Sequence, residues 1–600
     1  MQDSLDFATL RSAYSKGRDP RDTVAMTYDR IAARGEDPTW LHVVPRERAL
    51  AAAASLSGIP RSAPLWGIPF AIKDNIDLAG APTTAACPAF SYVAGRSARV
   101  VEKLVAAGAI PVGKTNLDQF ATGLVGVRSP YGVPKNTFDP RYIPGGSSSG
   151  SAVSVAAGLV SFALGTDTAG SGRVPAGFNN LVGLKPTKGL LSTTGLVPAC
   201  RTLDVISVFA LTVADALDAT RAAAGFDSAD AYSRAEADSA HLELAAAPVR
   251  FRYGVPRSDQ LVFFGDGEAE RQYRMALDRL KALGGEAVEF DFAPFKETAD
   301  LLYDGPWVAE RYAAIEALMR DRPGDIHPTT RAVIANASKY DAVAAFRAFY
   351  RLEELRRRAA TVWNSIDLMA LPTSGTIFTL EQLAAEPIRH NTELGYYTNF
   401  VNLLDLSGLA IPAALRSDGL PTGITLLGQA WRDGWLASIG HAFHRSTGLP
   451  LGATGAAQPE SPVLAPTPTG SIQVAVVGAH LSGMPLNGQL AERGGRLVRR
   501  AKTAPNYRLY ALAGTTPPKP GLERVADGGA AIEIEIWEMP VSQFGSFVGL
   551  VPSPLAIGSL EIDDGSWCKG FVCEPAALKS ARDITRFGGW RAYMQDSAQQ

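Results

Sequence analysis

The sequence has few cysteines and histidines, no long apolar run and almost no net charge. Four cysteines in 600 residues cannot form a disulfide framework for a protein of this size, which favours a reducing compartment. The longest apolar stretch, residues 152–165, falls short of the ~20 residues that cross a bilayer. A formal net charge of −2 gives no overall field toward nucleic acid or an anionic membrane.

The first residues carry two acids and neither a basic patch nor an apolar run, which is unlike a secretory signal. From these features we expect a cytoplasmic protein that binds neither nucleic acid nor membrane. The composition, 46% hydrophobic and 20% charged, is that of a globular chain long enough for two to four compact units.

Helical and strand-like segments alternate along the chain as far as about residue 215. This pattern is typical of an α/β fold with a mixed sheet and helices on both faces. Residues 225–390 have a mostly helical pattern, and strand-like segments return from residue 365 onward. A nearly uncharged stretch rich in Pro, Gly, Ala and Thr predicts a linker. We therefore expect a first domain over 1–451, the linker over 452–470, and a small β-rich domain over 471–600.

A serine- and glycine-rich cluster, Pro-Gly-Gly-Ser-Ser-Ser-Gly-Ser at residues 144–151, allows three interpretations. A phosphate-binding loop would need a lysine after the last glycine, where this chain has serine and alanine. A nucleophile elbow would place Ser148 at its centre, but it needs a preceding strand and a histidine within reach, and residues 139–144 contain two prolines. The third interpretation includes the next motif, Gly-Thr-Asp-Thr-Ala-Gly-Ser at residues 165–171.

Four motifs in a fixed order resemble the amidase-signature family, over roughly residues 20–450. They are the two already quoted, Gly-Ile-Pro-Phe-Ala-Ile-Lys-Asp-Asn at 67–75, and Gly-Leu-Lys-Pro-Thr-Lys-Gly at 183–189. The interval between Ser147 and Ser171 is the family's spacing between its bridging and nucleophilic serines. The one departure is Ala169, where a glycine is usual. The resemblance implies the amidase-signature fold, a mixed central sheet flanked by helices, and an amide-bond hydrolase without metal or cofactor.

The resemblance also implies roles for individual residues. Ser171 is the expected nucleophile, Ser147 a bridging serine preceded by a cis peptide bond, and Lys73 the base. Lysine has a reference pKa of about 10.4, so it can act as a base only if burial keeps the amine neutral. The apolar run before Lys73 would supply that burial. The expected oxyanion hole consists of backbone N–H groups of four consecutive residues: Thr168, Ala169, Gly170 and Ser171.

Residues 301–312 and 120–132 look like the allophanate hydrolase branch of this family. By that resemblance Tyr303 and Arg311 hold the substrate, because a guanidinium can grip a planar carboxylate with two parallel N–H donors. Their spacing of eight is about two helical turns, which predicts that both lie on roughly one helical face. The open alternative is an exposed helical arginine that pairs with Glu310 or Asp304.

Residues 478–487, 503–508 and 533–540 look like the small domain appended to allophanate hydrolases, whose fold resembles γ-glutamyl-cyclotransferase-like barrels. His480 is a candidate acid/base there, and a satisfied core histidine is the alternative. A basic stretch could receive an anionic product or could be an ordinary solvated face: Arg493, Arg496, Arg499, Arg500, Lys502 and Arg508. The pair His441 and His444 has no nearby third ligand, so we expect no metal site there.

These resemblances imply hydrolysis of allophanate to ammonia and N-carboxycarbamate, which decarboxylates, with the small domain assisting through His480. The expected partner is an upstream urea carboxylase, the substrate is a small molecule, and the enzyme is expected to be a homodimer. Two alternatives remain open at this point. One is an amidase that acts on another small amide, and the other is a component of a tRNA-dependent amidotransferase.

Overall fold

The computed structural model describes residues 3–460, 464 and 471–599. The chain divides into two compact units, Met1–Pro466 and Thr467–Gln600. Most of the second half of the expected linker, 461–463 and 465–470, lies outside the described residues. The beginning of that segment, from Leu451 to Ala456, forms a turn of the first unit, in which the N–H of Ala453 donates to the carbonyl of Ala156 at 2.9 Å.

The strands of the first unit follow the expected alternation along much of the chain. They are β1 (Trp40–Val43), β2 (Pro69–Lys73), β3 (Pro82–Thr83), β4 (Tyr92–Val93), β5 (Ile110–Thr115), β6 (Phe162–Asp167), β7 (Val182–Lys185), β8 (Val205–Ala210), β9 (Phe251–Pro256), β10 (Gly285–Phe290), β11 (Leu368–Pro372), β12 (Leu406–Leu415) and β13 (Pro421–Gln429).

Within residues 3–460, eleven of these strands form one mixed sheet in the order β1-β5-β2-β6-β8-β7-β12-β13-β11-β9-β10. Strand β2 runs parallel to both β5 and β6, whereas β6 and β8 are antiparallel. Every residue of β2, β6 and β8 is buried. Such continuous apolar runs are typical of strands covered on both faces, so the predicted α/β fold is confirmed.

The helices of the first unit cover both faces of the sheet and include two that are buried along their whole length. They are α1 (Phe7–Ser15), α2 (Pro20–Ala33), α3 (Arg46–Ala54), α4 (Arg99–Ala106), α5 (Ser149–Ala156), α6 (Val174–Phe178), α7 (Val213–Ala223), α8 (Gly267–Ala282), α9 (Ala293–Asp300), α10 (Trp307–Ala314), α11 (Glu316–Asp321), α12 (Pro328–Ala335), α13 (Ala342–Ala360), α14 (Leu380–Ala385), α15 (Arg389–Leu394) and α16 (Asp433–Thr447). The fully buried helices are α5 and α6, and α5 starts inside the serine- and glycine-rich cluster.

The region 225–390 is less helical than its pattern predicts. Strands β9 and β10 lie in it and pair in parallel around α8, and β9 joins the main sheet beside β11. Strand β10 is at the edge of the sheet, and its middle residues, which include Glu286 and Glu289, are exposed or partly exposed. An edge strand of this kind lacks the continuous apolar run of a central strand, which explains why the pattern conceals it.

The second unit is β-rich, as expected. Its strands are β14 (Ser471–Val476), β15 (Arg496–Lys502), β16 (Tyr507–Ala511), β17 (Pro520–Arg524), β18 (Glu533–Pro540), β19 (Leu555–Glu561), β20 (Trp567–Cys573) and β21 (Arg582–Asp583). They form a five-stranded sheet, β15-β18-β14-β20-β19, and a three-stranded sheet, β17-β16-β21. Its helices are α17 (Gly488–Ala491), α18 (Val541–Val548), α19 (Pro575–Leu578) and α20 (Trp590–Gln599).

Across the described part of the chain, none of the helices has both the length and the apolar character that crossing a membrane requires. All four cysteines are buried and unpaired with one another.

Candidate active site

The side chain of Lys73 ends in a cluster of hydroxyl groups. Lys73 is the last residue of the central strand β2 and is fully buried. Its amine donates to the hydroxyl oxygens of Ser147 at 2.7 Å, Ser148 at 3.0 Å and Thr166 at 2.6 Å. Ser147 and Ser148 directly precede α5, and Thr166 lies on the adjacent strand β6. The sheet and the buried helix together fix all three contacts.

Burial lowers the pKa of Lys73 from its ordinary value to about 7, although the carboxylates of Asp118, Asp204 and Asp167 oppose the shift. The three contacts of the amine are neutral hydroxyls, which compensate a buried charge less than a carboxylate would. A substantial fraction of this amine is therefore unprotonated near pH 7 and can accept a proton.

The peptide bond between Gly146 and Ser147 is cis, as the family resemblance implies. A Cβ atom at position 146 would overlap the carboxylate of Asp118 and the backbone N of Gly126, so only glycine fits. Asp118 also braces the backbone: its N–H donates to the carbonyl of Ser147 at 3.0 Å, and its carboxylate accepts from Gly126 N–H at 2.9 Å.

Ser171 lies in the tight turn that follows β6. Its hydroxyl lies 3.4 Å from the carbonyl oxygen of Gly123. A buried ion pair stabilises the turn, because Arg173 donates to both carboxylate oxygens of Asp167 at 2.8 and 3.0 Å. Gly170 has φ +144°, and a Cβ there would lie 2.5 Å from the Thr398 hydroxyl, so this position requires glycine.

The backbone N–H groups of residues 168–171 have no acceptor within the described part of the chain. Convergent N–H groups of this kind can bind an oxyanion. The Thr168 side chain is fixed by a 2.5 Å hydrogen bond to Asp204. Burial raises the pKa of Asp204 to about 6, although the hydrogen bonds that this carboxylate accepts lower it.

Arg311 is 2% exposed, and no carboxylate of the described chain pairs with it. Its guanidinium donates to the Thr122 hydroxyl at 3.1 Å, the Ala121 carbonyl at 3.3 Å and the Tyr303 hydroxyl at 3.2 Å. Its buried Nε has no acceptor among the described residues. Glu310 instead accepts from the backbone and hydroxyl of Thr202, so the alternative of an exposed arginine paired with Glu310 or Asp304 is wrong.

Tyr303 contacts Arg311, but the two residues do not share a helix. Tyr303 lies in the turn between α9 and α10, and its ring lies 5.3 Å from the guanidinium. Gly305 and Pro306 separate it from α10. Proline suits the start of a helix and disrupts its interior, so α10 begins after Pro306 and does not extend back to Tyr303. The expectation of one continuous helical face is therefore wrong, although the two side chains are in contact.

A short backbone segment connects Arg311 with Ser171. Ala121 and Thr122 accept from the arginine, and the adjacent Gly123 carbonyl accepts from the serine. Phe120 and Ala121 have φ of +53° and +51°, a left-handed conformation that is uncommon for residues other than glycine. Backbone strain of this kind clusters at functional sites.

His480, in the second unit, borders a separate cavity. Its ring stacks on Phe571 at 5.0 Å, and its Nε2 lies 2.9 Å from the Gln489 amide oxygen. Burial lowers its pKa, while the Gln489 contact opposes the shift and the charge of Lys519 adds to it. The histidine therefore has an accessible, mostly neutral imidazole, which is compatible with the predicted acid/base role.

The basic stretch that follows does not line this cavity. Three of its arginines are on or at the start of β15 and pair with acids: Arg496 with Glu538, Arg499 with Asp564, and Arg500 with Glu535. The interpretation of the stretch as a product-binding site is not supported by these contacts, which are those of a solvated and ion-paired face.

No group of metal-binding side chains occurs among the described residues. His441 and His444 are both on α16, and burial lowers their pKa values to about 4 and about 3. Both imidazoles are therefore neutral core groups.

Comparison with known proteins agrees with this geometry. The family model described as Amidase matches residues 22–436. The chain belongs to the amidase family. The model described as Allophanate hydrolase C-terminal domain matches residues 472–595, which fall in the second unit. The resemblance inferred from the four motifs is thus confirmed, and this amidase carries a second recognised domain.

Urea amidolyase of Saccharomyces cerevisiae is 42% identical to this amidase over 614 aligned positions, which cover 99% of the chain and 33% of the yeast protein. The chain thus spans about a third of the urea amidolyases it matches. The structure of Kluyveromyces lactis allophanate hydrolase matches with a TM-score of 0.73 and 39% identity, covering 98% of both chains. A glutamyl-tRNA(Gln) amidotransferase component of Chloroflexus aurantiacus is 34% identical over 68% of this chain and 89% of its own.

Several residues of the site were not predicted from the sequence. Ser148 and Thr166 lie within the quoted motifs, but Thr166 had no assigned role and Ser148 was considered only as the nucleophile of the alternative elbow. Thr122 likewise lies in the motif at 120–132. Asp118 and Asp204 lie outside the quoted motifs, and only the folded chain brings the N–H of Asp118 to Ser147 and the carboxylate of Asp204 to Thr168.

Proposed function

We propose that this amidase hydrolyses allophanate, using Ser171 as nucleophile and Lys73 as base. Neutral Lys73 accepts a proton from the Ser147 hydroxyl as Ser147 takes the proton of Ser171. The Ser171 oxygen attacks the terminal amide carbonyl of allophanate, and backbone N–H groups of residues 168–171 stabilise the resulting oxyanion.

The same relay then returns the proton to the departing nitrogen, so the C–N bond breaks and ammonia leaves. Water attacks the acyl-enzyme along the same route and releases N-carboxycarbamate, restoring the Ser171 hydroxyl. Loss of carbon dioxide from N-carboxycarbamate consumes one proton and gives carbamate, which yields ammonia and a second carbon dioxide. We propose that the second unit assists the first decarboxylation through His480.

The observation that carries the substrate assignment is the buried guanidinium of Arg311, which has no carboxylate partner in the described chain. A buried cation is costly unless an anion compensates it. Allophanate is an amide with an N-carboxylate, so its anionic end suits Arg311 and the Tyr303 hydroxyl. The segment 121–123 would place the amide carbonyl near Ser171, since it contacts both side chains.

The test compares ammonia release from allophanate, biuret, malonamate and a neutral aliphatic amide by the parent protein and Arg311→Met. We expect allophanate to be the best substrate of the parent. Arg311→Met should raise the KM for allophanate by about 10- to 100-fold, because hydrogen bonds to charged groups contribute about 1.5–3 kcal/mol. Arg320→Met removes an exposed arginine that pairs with Asp321 and should change nothing. Highest activity on the neutral amide would refute the assignment, and glutamine-dependent ammonia release stimulated by tRNA would favour an amidotransferase.

We further propose that this enzyme acts after a urea carboxylase, because the matched urea amidolyases are three times as long as this chain. We also propose that the enzyme is a homodimer and that it is located in the cytoplasm. Sedimentation of the purified protein tests the dimer directly, and a monomer at micromolar concentration would contradict it.

A further inference from the structure

A short segment, residues 199–204, lies between the turn of the proposed oxyanion hole and the helix that carries Arg311. It precedes β8 directly and folds back on itself, because the N–H groups of Leu203 and Asp204 both donate to the Cys200 carbonyl, at 2.9 and 2.8 Å. These three residues are buried. A closed turn in a densely packed interior deforms little, so it can fix two neighbouring elements relative to each other.

One side of this segment is attached to the turn that follows β6. The carboxylate of Asp204 accepts from the Thr168 hydroxyl at 2.5 Å. The same carboxylate accepts from the N–H groups of Ala199 and Cys200 at 2.8 and 3.1 Å. Ala169, at the position where the family usually has glycine, belongs to one buried apolar cluster with Cys200. These contacts fix the segment to the backbone that carries the proposed oxyanion N–H groups.

The other side of the segment is held by Glu310 on α10. One oxygen of this carboxylate accepts from the Thr202 N–H at 2.6 Å, and the other accepts from the Thr202 hydroxyl at 2.8 Å. The Cys200 thiol also donates to the carbonyl of Trp307, the first residue of α10, at 3.6 Å. Hydrogen bonds to an ionised acceptor are about twice as strong as neutral ones, so the two-point contact of Glu310 is the stronger link.

Helix α10 depends on such contacts because it is short. It comprises Trp307–Ala314, and an isolated helix of this length is not stable in water, so its neighbours determine its position and rotation. Adjacent residues of an α-helix point about 100° apart. Glu310 therefore faces the segment, while the guanidinium of Arg311 faces Thr122 and Tyr303. Fixing the direction of Glu310 fixes the rotation of α10 and with it the direction of Arg311.

We propose that Glu310 is a positioning residue that, through the segment 199–204, holds the guanidinium of Arg311 at a fixed place relative to the oxyanion turn. This inference rests on the proposed function, in which Arg311 binds the carboxylate of the substrate. In a small planar substrate the carboxylate and the reacting carbonyl have a fixed separation, so the groups that bind them must keep a matching one. A misplacement of about 1 Å can cost an enzyme about 10²-fold in rate.

The charge of Glu310 and its positioning role predict opposite results for the same substitution. If Glu310 acted only through its charge, Glu310→Gln would remove a negative charge near Arg311 and would strengthen the binding of an anion. If Glu310 positions Arg311, the substitution should weaken anion binding, because the amide nitrogen of glutamine cannot accept from Thr202.

The probe is malonamate, a stable amide with a carboxylate, titrated calorimetrically into the full chain with Ser171→Ala so that the probe is not consumed. We expect Glu310→Gln to weaken malonamate binding by about 5- to 10-fold and Arg311→Met to weaken it by about 10- to 100-fold. The combination of Glu310→Gln with Arg311→Met should bind no more weakly than Arg311→Met, because Glu310 acts through Arg311.

Substitutions of Thr202 test the same link from the other side. Thr202→Val removes the hydroxyl donor and keeps the backbone donor, so it should weaken malonamate binding less than Glu310→Gln does. Thr202→Ser keeps both donors and should restore the affinity of the Ser171→Ala chain. If Glu310→Gln does not fold, the contrast between Thr202→Val and Thr202→Ser decides in its place.

The matched control is Glu354→Gln, which makes the same change of charge at an exposed glutamate of α13 that pairs with Arg351. It should leave malonamate binding unchanged within about twofold. Equal or stronger binding in Glu310→Gln would overturn the inference. So would independent effects of Glu310→Gln and Arg311→Met that multiply in the double variant, or an affinity that Arg311→Met leaves unchanged.

Ammonia release from allophanate, measured with Ser171 intact, separates this inference from the proposed function. Glu310→Gln should raise the KM for allophanate more than it lowers kcat, since Asp204 still holds the oxyanion turn. Malonamate binding that depends on Glu310 through Arg311, without ammonia release by the parent, would reject the proposed function and leave the positioning role standing. Ammonia release by the parent, with malonamate binding that is unaffected by Glu310→Gln, would reject the positioning role alone.

Discussion

Two buried lysines lie on neighbouring strands of the main sheet, and their amines have chemically different partners. Lys73 ends β2 among three hydroxyl groups, whereas Lys114 on β5 lies 3.0 Å from the carboxylate of Asp74. Neither side chain is exposed. Burial lowers the pKa of both amines, to about 7 for Lys73, while Asp74 opposes the shift for Lys114. The two amines therefore differ in their direct partners, three neutral hydroxyls for Lys73 and a carboxylate for Lys114, and this difference favours Lys73 as the proposed base.

The largest expected effect is on catalysis. Lys73→Met keeps most of the side-chain volume and removes the proton acceptor, so kcat for ammonia release from allophanate should fall by about 10³-fold or more. The kcat values of Ser147→Ala and Ser171→Ala should fall as far, since the proposed relay acts as a unit. Lys114→Met should retain activity within about tenfold per folded molecule. Comparable losses in Lys73→Met and Lys114→Met would abolish the distinction between the two lysines.

The next effect is on stability. Here, in contrast to catalysis, replacing Lys114 should have a larger effect than replacing Lys73. Lys114→Met leaves Asp74 as a buried carboxylate without its cation, so the free energy of unfolding should fall by about 3 kcal/mol or more. Lys73→Met leaves neutral hydroxyls and no buried charge without a partner, so the free energy of unfolding should fall by a smaller amount, about 1–3 kcal/mol. Urea denaturation at pH 7 measures both. A larger loss for Lys73→Met would show that its amine is mainly structural.

The smallest effect is a displacement of the pH profile. Only unprotonated Lys73 accepts a proton, so kcat should rise with pH through about 7 and then level off. Thr166→Val removes an acceptor that stabilises the charged amine, which should move this rise to lower pH. Thr220→Val, which removes another buried hydroxyl on α7, should leave the profile in place. If kcat of Thr166→Val rises at the same pH as kcat of the parent, a group other than Lys73 is titrating.

The sequence predicts the central part of this fold better than its edge. Strands β2 and β6 appear as continuous apolar runs because both of their faces are buried. Strand β10 was missed because an edge strand with exposed glutamates resembles the helical segments around it, and the buried strand β9 was missed with it.

For the site, the motifs located Lys73, Ser147 and Ser171, and the structure brings the lysine and the bridging serine into contact. The roles of these residues stay a prediction. Motifs could not reveal the setting of Asp118 or Asp204, because each carboxylate acts on backbone or side chains that only the fold brings to it. The spacing of Tyr303 and Arg311 predicted one shared helical face. The two side chains do lie together, but a turn and not a helix positions Tyr303.

The segment from Ala121 to Gly123 has a consequence for how specificity can change in such enzymes. One face of this backbone supports the cation proposed to recognise the substrate, and its next carbonyl contacts the hydroxyl of Ser171, the proposed nucleophile. On this proposal, recognition and attack depend on the same backbone segment. Alterations in this segment would disturb both at once, so new amide preferences would arise more readily through replacements on α10 and in the turn before it.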